Sequence, residues 1–491
     1  MTTRLSARTL PGAGGRLPGF DRSARAGIVH LGVGAFHKAH QAVCNDDALE
    51  AEGGDWLIDG VSLRSPDVAD RLNPQDGLYT LLIRNPEGSE ARIVGSIRRV
   101  LVHPREPRAV LAALADPATR IVSLTITEKG YGLDPRTGGL DPAHASVAGD
   151  LESPRSPAGA VGLIVEALRQ RRDAGLPGFT VLCCDNLPSN GKVARRLVGD
   201  FARSVEPGLA GFIESDVSFP STMVDRITPA STDKTYADAV ALTGREDRAA
   251  VETEPFTQWI IEDDFVAGRP RWEAGGAVFV DDVGPYEKMK LRMLNGAHSM
   301  LAYSGFVAGH AYVRDVMRDA GLVALIERHH REAARSLGAV GAVDLDAYAR
   351  DLRTRFANPG IAHETYQIAM DGTQKLPQRI LEPALSALES DRRLDAYAFA
   401  VAAWMRYCLG MTEGGERYAL RDPREAEIAG LVEGNRDANA VADALLGLPG
   451  LFPQALASSA AWRASIVTRL GAMLTDGMGA AIAREAAPFR G

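Results

Sequence analysis

Cysteine is scarce in this sequence, with four in 491 residues: Cys44, Cys183, Cys184 and Cys408. That number and spacing exclude a disulfide framework and a zinc-ligand pattern. Cys183 and Cys184 stand in an apolar run and read as buried thiols. Positive charge is short as well. With 55 Lys and Arg against 63 Asp and Glu, the net charge is −8. This argues against nucleic acid or an acidic membrane as a partner, because both select a basic face. A small anionic substrate needs only a few local cations and stays compatible. No segment is long and apolar enough to span a bilayer, and MTTRLSARTLPGAGGRLPGF at the N-terminus has no apolar signal core. Together these absences predict a cytoplasmic protein with a small-molecule partner, acting as a monomer or small homo-oligomer.

What is present is the composition of a soluble globular protein, 45% apolar and 24% charged. The length calls for two or three domains. Residues 1–25 are rich in Gly, Arg and Pro and read as an arm before the fold. From there to residue 284, β-like runs alternate with helical stretches: AGIVHLGVG, DWLIDGVSL, LYTLLIR, RIVSLTIT, GFTVLCCD and AVFVDDV. Such alternation predicts an α/β domain built on a parallel sheet covered by helices on both faces. After Pro285 the apolar residues recur at helical spacing, as in YVRDVMRDAGLVALIERHHREAARSL and RLDAYAFAVAAWMRYCLG. The expected domains are therefore 1–284, α/β, and 285–491, mainly α-helical.

AGIVHLGVG runs straight into AFHKAHQAVCNDDAL, with Gly32 and Gly34 at the junction and Ala35 and Phe36 opening the helix. A dinucleotide-binding fold uses such a turn to bring its backbone to a pyrophosphate. The third glycine of that fingerprint is replaced by His37, so an ordinary strand-to-helix turn is an equally open reading. The next strand ends at Arg64, Ser65 and Asp67. An acid there selects NAD, whereas an arginine accommodates NADP. His37 and His40 lack a third ligand nearby, so solvent-facing or capping roles are preferred to a metal site.

Ligands of open α/β sheets bind beyond the carboxyl ends of the strands. RIVSLTIT runs into Glu128 and Lys129, and GFTVLCCD into Asn186. An amide in that place can donate to a developing alkoxide. It can equally close a turn on its own backbone, since Asn-Leu-Pro-Ser-Asn-Gly is turn-rich. Asp225 and Arg226, within FPSTMVDRITP, read as a structural ion pair.

The segment KLRMLNGAHSM holds Lys290, Asn295 and His298 in an otherwise apolar helix. At about 100° per residue, Glu287 falls near 60° from Lys290, His298 near 80° and Asn295 near 140°. One flank then carries all four, beside a buried stripe that includes Met289, Met293 and Leu294, while Lys288 and Arg292 face solvent. A lysine at a dry cleft edge has its charged form disfavoured and can act as general base on an alcohol. Asn295 and His298 could hold the same oxygen. The alternative is a snorkelling lysine beside a satisfied histidine.

Taken with HLGVGAFHKAHQA, TEKGY, CDNLPSNG, MVDRITP, QWIIEDDF and MKLRMLNGAHSMLAY, in that order, K-x4-N-x2-H resembles the polyol-specific long-chain dehydrogenases, the mannitol dehydrogenase family. The resemblance implies a metal-independent dehydrogenase using NAD, with NADP left open, on a Rossmann-type domain followed by a helical one. It implies Lys290 as general base, Asn186 and Asn295 as oxyanion hole, His298 on the reacting oxygen and Glu287 on the proton path. Cofactor contacts would fall to Gly32, Gly34, Ala35, Phe36, Arg64, Glu128 and Lys129, and substrate contacts to Lys375, Arg379 and Asp225. Within RFANPGIAHETYQIAMDGTQKLPQR, Gln367 stands where mannitol 2-dehydrogenases tend to carry arginine. The segment looks more like the fructuronate reductases (mannonate oxidoreductases), whose substrate carboxylate Lys375 or Arg379 could meet. In the alternative, Lys375 binds hydroxyls only and Arg379 lies at the surface. The competing activities are a mannitol or other polyol dehydrogenase, a 6-phosphogluconate dehydrogenase and, more remotely, a regulator that senses NAD(H) without chemistry.

Overall fold

The computed structural model describes residues 2–127, 130–134 and 137–489. Two compact units divide the chain, Met1–Gly284 and Pro285–Gly491. In the first, five parallel strands form one sheet: β1 (Ala26–Leu31), β2 (Leu57–Ser62), β3 (Ile97–Val102), β4 (Ile121–Leu124) and β5 (Thr180–Cys183), in the order β3-β2-β1-β4-β5. Side chains alternate across it. Val29, Leu31, Val122, Leu124 and Val181 join one apolar cluster, and Ile28, Ile121 and Leu182 join another on the opposite face. Burial on both faces is why these strands read as continuous apolar runs. This is the parallel, helix-covered sheet that the alternation predicts.

Two of the predicted strands lie outside that sheet. LYTLLIR becomes Tyr79–Asn85, antiparallel to Gly88–Val94 across the turn at Pro86 and Glu87. AVFVDDV becomes Ala277–Val280, paired to Gln258–Glu262, which in turn pairs antiparallel with Thr222–Asp225. The N-terminal segment is no loose arm. Thr3–Arg4 pairs with Arg245–Glu246, and Leu5 is fully buried against Leu78 and Ile93. A few leucines suffice to dock a stretch whose Gly and Pro content reads as irregular.

Strand order reverses between β1 and β4, and the two strands are joined at their carboxyl ends. His30, buried in mid-strand, bonds through Nδ1 to Ser123 Oγ at 2.8 Å and through Nε2 to Thr125 Oγ1 at 2.9 Å. Gly32 follows with φ +95°, and a Cβ there would lie 2.3 Å from the Thr125 carbonyl oxygen. Only glycine fits.

The second unit is helical: α3 (Gly296–Val307), α4 (Ala320–Arg335), α5 (Leu345–Phe356), α6 (Asp395–Tyr407) and α7 (Ala460–Thr475) are its longest elements. In α6 every residue from Ala396 to Tyr407 is buried, including Arg406, so this helix has no solvent face and forms the centre of the unit. Tyr303, Tyr397, Trp404 and Trp462 fill the core around it.

Gly32→Ala is expected to destabilise the protein by roughly 2–4 kcal/mol, combining left-handed strain with the clash at Thr125. Gly34→Ala should cost about 1 kcal/mol or less, the difference between two weak helix N-caps. Urea unfolding of both variants checks this, and equal losses would contradict it.

Candidate active site

The turn after β1 presents an open stretch of backbone. The Gly32 amide donates to Val61 O at 2.9 Å and the Gly34 amide to Gly32 O at 2.8 Å. Gly34 is exposed, and a Cβ placed on it would come no nearer than 4.0 Å to any other group. Ala35 and Phe36 are half-buried at the start of a helix of five residues, α1 (Ala35–Ala39). His40 then leaves helical geometry, at φ −128° and ψ −86°, before α2 (Gln41–Glu52) begins. Neither His37 nor His40 faces solvent, one of the two roles expected; His40 stands in the other, at the cap between α1 and α2, although its side chain makes no capping bond. His37 stacks on His30 with ring centroids 3.4 Å apart, so an aromatic stack replaces the close packing that a third glycine would allow. His40 is fully buried, with Nε2 2.9 Å from Gln258 O. Burial holds the His30 imidazole down at about 3 and pushes His37 well below its ordinary range, so both are neutral. Arg64 lies exposed beyond β2, while Asp67 accepts from Ser65 Oγ at 2.6 Å. Glu128 and Lys129 lie outside the described residues. Among the described residues, no group of three His, Cys, Asp or Glu is arranged to hold a metal ion.

Beyond β5, Asp185 and Asn190 shape the loop that carries Asn186. Asp185 accepts from the amides of Ile126 at 2.9 Å and Thr127 at 3.0 Å and from Tyr131 Oη at 2.7 Å. Asn190 donates to Asp185 O at 3.0 Å and Thr222 O at 2.9 Å, and accepts from the Thr222 amide at 2.9 Å. With the loop held by these two neighbours, Asn186 is exposed at its tip. Asp225 ends its strand buried opposite Gln258. Arg226 donates to the Ala39 and Glu254 carbonyls, so its hydrogen bonds tie backbone together.

In the second unit the helix carrying Lys290 departs from α geometry. Gly284–Met289 is α-helical, Lys290–Asn295 forms a π turn, and α3 resumes at Gly296. The Gly296 amide reaches Leu291 O, five residues back, and Met293 O, three back, and skips Arg292 O, which an α-helix would use. A π turn holds more residues per turn than an α turn, so Lys290 and Asn295, five apart, lie closer to one row than the roughly 140° of α geometry. His298, three further on in α-helix, continues the row. Lys290 and His298 are buried, Asn295 and Glu287 half-buried and Lys288 exposed. Arg292, expected to face solvent, is buried. It donates to Ser336 O at 2.6 Å and Oγ at 3.1 Å, because the widened turn rotates it inward from its α-helical position.

His298 sits among rings and cations. Its imidazole stacks on Phe356 at 4.5 Å and meets His363 edge-on at 5.3 Å, and its Nε2 has no hydrogen-bond partner. Burial, then His363, Arg355 and Arg379, push His298 well below its ordinary range, so it is neutral. His363 is held down at about 4 by burial and by Lys375. Lys375 donates to Met370 O at 2.5 Å and Ile368 O at 3.2 Å, and Arg379 Nη1 to Ser299 Oγ at 3.3 Å. Arg379 belongs to a second π turn, Pro377–Leu381, in which the Glu382 amide reaches Pro377 O. Lys290, Asn295 and His298 thus follow one another along one helix of this unit, and the charges of Arg379, Lys375 and the unforeseen Arg355 act on the two histidines.

Residues 26–274 match the mannitol dehydrogenase Rossmann domain, and residues 282–474 match the mannitol dehydrogenase C-terminal domain. The chain belongs to the mannitol dehydrogenase family. This family membership makes it an oxidoreductase acting on CH–OH groups. D-mannonate oxidoreductase of Escherichia coli is 45% identical over 90% of the chain and 92% of the relative. Mannitol 2-dehydrogenase of Aspergillus terreus is 38% identical over 94% of each. The solved Pseudomonas fluorescens mannitol 2-dehydrogenase, a ternary complex with NAD and D-mannitol, superposes with TM-score 0.88 at 37% identity, covering 98% of this chain and 99% of that one.

Sequence reasoning missed His30, Asp185, Arg355 and His363. An isolated polar residue in an apolar run was the signal for the first, and a strand-end acid for the second. The other two depend on tertiary proximity. A pH dependence follows from the buried rings. His30, His37, His298, His329, His330 and His363 all have folded pKa values depressed by burial. The unfolded chain takes up protons below about pH 6.5 while the folded chain refuses them, so this stability is complete above that pH and lost below it. The loss approaches about 1.4 kcal/mol per pH unit for each histidine. Urea unfolding at about pH 7 and about pH 5.5 should show a drop of several kcal/mol; equal stabilities would contradict neutral burial.

Proposed function

We propose that the protein is an NAD-dependent dehydrogenase interconverting the secondary alcohol and ketone of a sugar acid, with D-mannonate and D-fructuronate as the preferred pair. The observation that carries the reading is the setting of His298. Its buried Nε2 is unpartnered, the charges of Arg355 and Arg379 act on its ring, and that of Lys375 acts on the adjoining His363. That setting suits a reacting oxygen next to a substrate carboxylate. The 45% identity to a D-mannonate oxidoreductase supports it. A mannitol 2-dehydrogenase is the second reading. It is favoured by the engagement of Lys375 with the Ile368 and Met370 carbonyls, which suits a hydroxyl-binding ammonium.

The open backbone at Gly34 beside the strand-order reversal fits a dinucleotide, with Gly32, Ala35, Phe36 and Arg64 assigned to it. Glu128 and Lys129 share this assignment on the family pattern. NAD, when bound, supplies the hydride acceptor. Lys290 takes the hydroxyl proton during oxidation and returns it during reduction, and Glu287 passes it on to water. Asn295 donates its amide to the same oxygen, and neutral His298 orients that oxygen without contributing charge. We further assign Asn186 as a second amide on that oxygen and Asp225 to a substrate hydroxyl.

Lys290→Ala should bind NADH normally and lose roughly 10²–10⁴-fold in turnover. Alcohol oxidation should rise with pH through one ionisation, which disappears in Lys290→Ala rescued by external amines. NADH oxidation with fructuronate, tagaturonate and fructose, compared side by side, distinguishes the substrates. Turnover of fructose alone would overturn the sugar-acid reading. Arg379→Met should raise KM for the uronate by about tenfold or more, the worth of one charged hydrogen bond, and leave fructose little affected.

A further inference from the structure

We propose that His329, on α4, is a positioning residue that holds the Lys290–Asn295 turn in its π form and thereby aligns Lys290 with Asn295 and His298. The inference rests on the assignment of Lys290 as general base.

A π turn costs backbone bonding. By reaching back to Leu291, the Gly296 amide abandons the Arg292 carbonyl, which an α-helix would have occupied. His329 Nε2 lies 3.1 Å from that carbonyl oxygen. A carbonyl only accepts, so the imidazole carries its proton on Nε2 and donates. Burial holds His329 down at about 4, which keeps this single neutral tautomer at working pH.

The placement is expensive in its own right. His329 is fully buried, edge-on to Tyr397 at 5.9 Å, and its Nδ1 has no partner. A buried acceptor left unmade costs about 1–3 kcal/mol, whereas an apolar side chain of similar size would carry no such penalty. An imidazole is therefore favoured here only because the released Arg292 carbonyl requires a donor. Packing at Gly296 leads to the same conclusion. A Cβ at Gly296 would lie 2.6 Å from His329 Nε2 and 2.9 Å from the Arg379 carbonyl oxygen. The glycine lets α4 and the second π turn close on the first. Removing the His329 donor leaves the Arg292 carbonyl to recapture the Gly296 amide. That reverts the turn to α spacing and swings Lys290 away from Asn295.

The test compares His329→Leu, His329→Gln and Gly296→Ala with the parent for kcat, KM, the pH profile of alcohol oxidation, NADH binding and Tm. In His329→Leu, kcat should fall at least about tenfold, as expected for a displaced catalytic group, with the ionisation of alcohol oxidation shifted. KM should change little, and NADH binding should be retained. His329→Gln, which restores a donor, should recover most of the rate and the parental profile. Parental kcat and profile in folded His329→Leu would overturn the proposal, as would His329→Gln as impaired as His329→Leu. Should His329→Leu fail to fold, Gly296→Ala decides: a lowered kcat with shifted ionisation supports the alignment, and unaltered kinetics overturn it. Undiminished turnover in Lys290→Ala would instead refute the base assignment, whatever His329 does.

Discussion

The bond from the Gly296 amide to Leu291 sets the arrangement of the helical unit. Reaching one residue further back than an α-helix allows, it inserts extra backbone into the first turn of a core helix. The turn that carries Lys290 and Asn295 widens, Arg292 turns inward to Ser336, and the Arg292 carbonyl is released to His329. Gly296, lacking a side chain, lets its neighbours approach. Each consequence is local, yet all follow from one change in hydrogen-bond register.

Electrostatics around this turn follow from burial. His298, His329, His330 and His363 are kept neutral because an imidazolium there would be desolvated and would stand close to other imidazoles or to arginine and lysine side chains. The positive charge acting on His298 and His363 comes from Arg355, Arg379 and Lys375, while the rings contribute shape and polar nitrogens. In the dinucleotide-binding unit the same physics serves a different purpose. Neutral His30 and His37 stack where the sheet changes direction, and His30 ties β1 to β4 beneath the Gly32 turn.

Much of this was legible in the sequence, for identifiable reasons. Parallel strands buried on both faces write themselves as apolar runs, so β1, β2, β4 and β5 could be read directly. β3, with Arg98 and Arg99 drawn to Asp59, could not. Tyr79–Asn85 read correctly as a strand, but its partners could not be read. Pairing depends on the chain returning at Gly88–Val94 and Val251–Thr253. Lys290, Asn295 and His298 were read as sharing one helix flank, but α-helical arithmetic sent Arg292 to solvent. No propensity distinguishes a π turn from an α turn, because the deciding bond depends on what donates to the abandoned carbonyl. The solvent-facing reading of His37 and His40 failed for a related reason, since a histidine's environment is invisible until the sheet beneath it exists.

By itself the sequence determined the α/β-then-helical order, the glycine turn after the first strand and the identity of the polar set on the lysine helix. Those features rest on periodicity and on residue types at short spacing, which the local chain enforces. Tertiary structure alone decided the register of that helix, the inward turn of Arg292, and the gathering of Arg355, Lys375 and Arg379 about two neutral histidines. Such features depend on groups tens of residues away that supply a donor, a ring or a charge, and no local pattern encodes their approach.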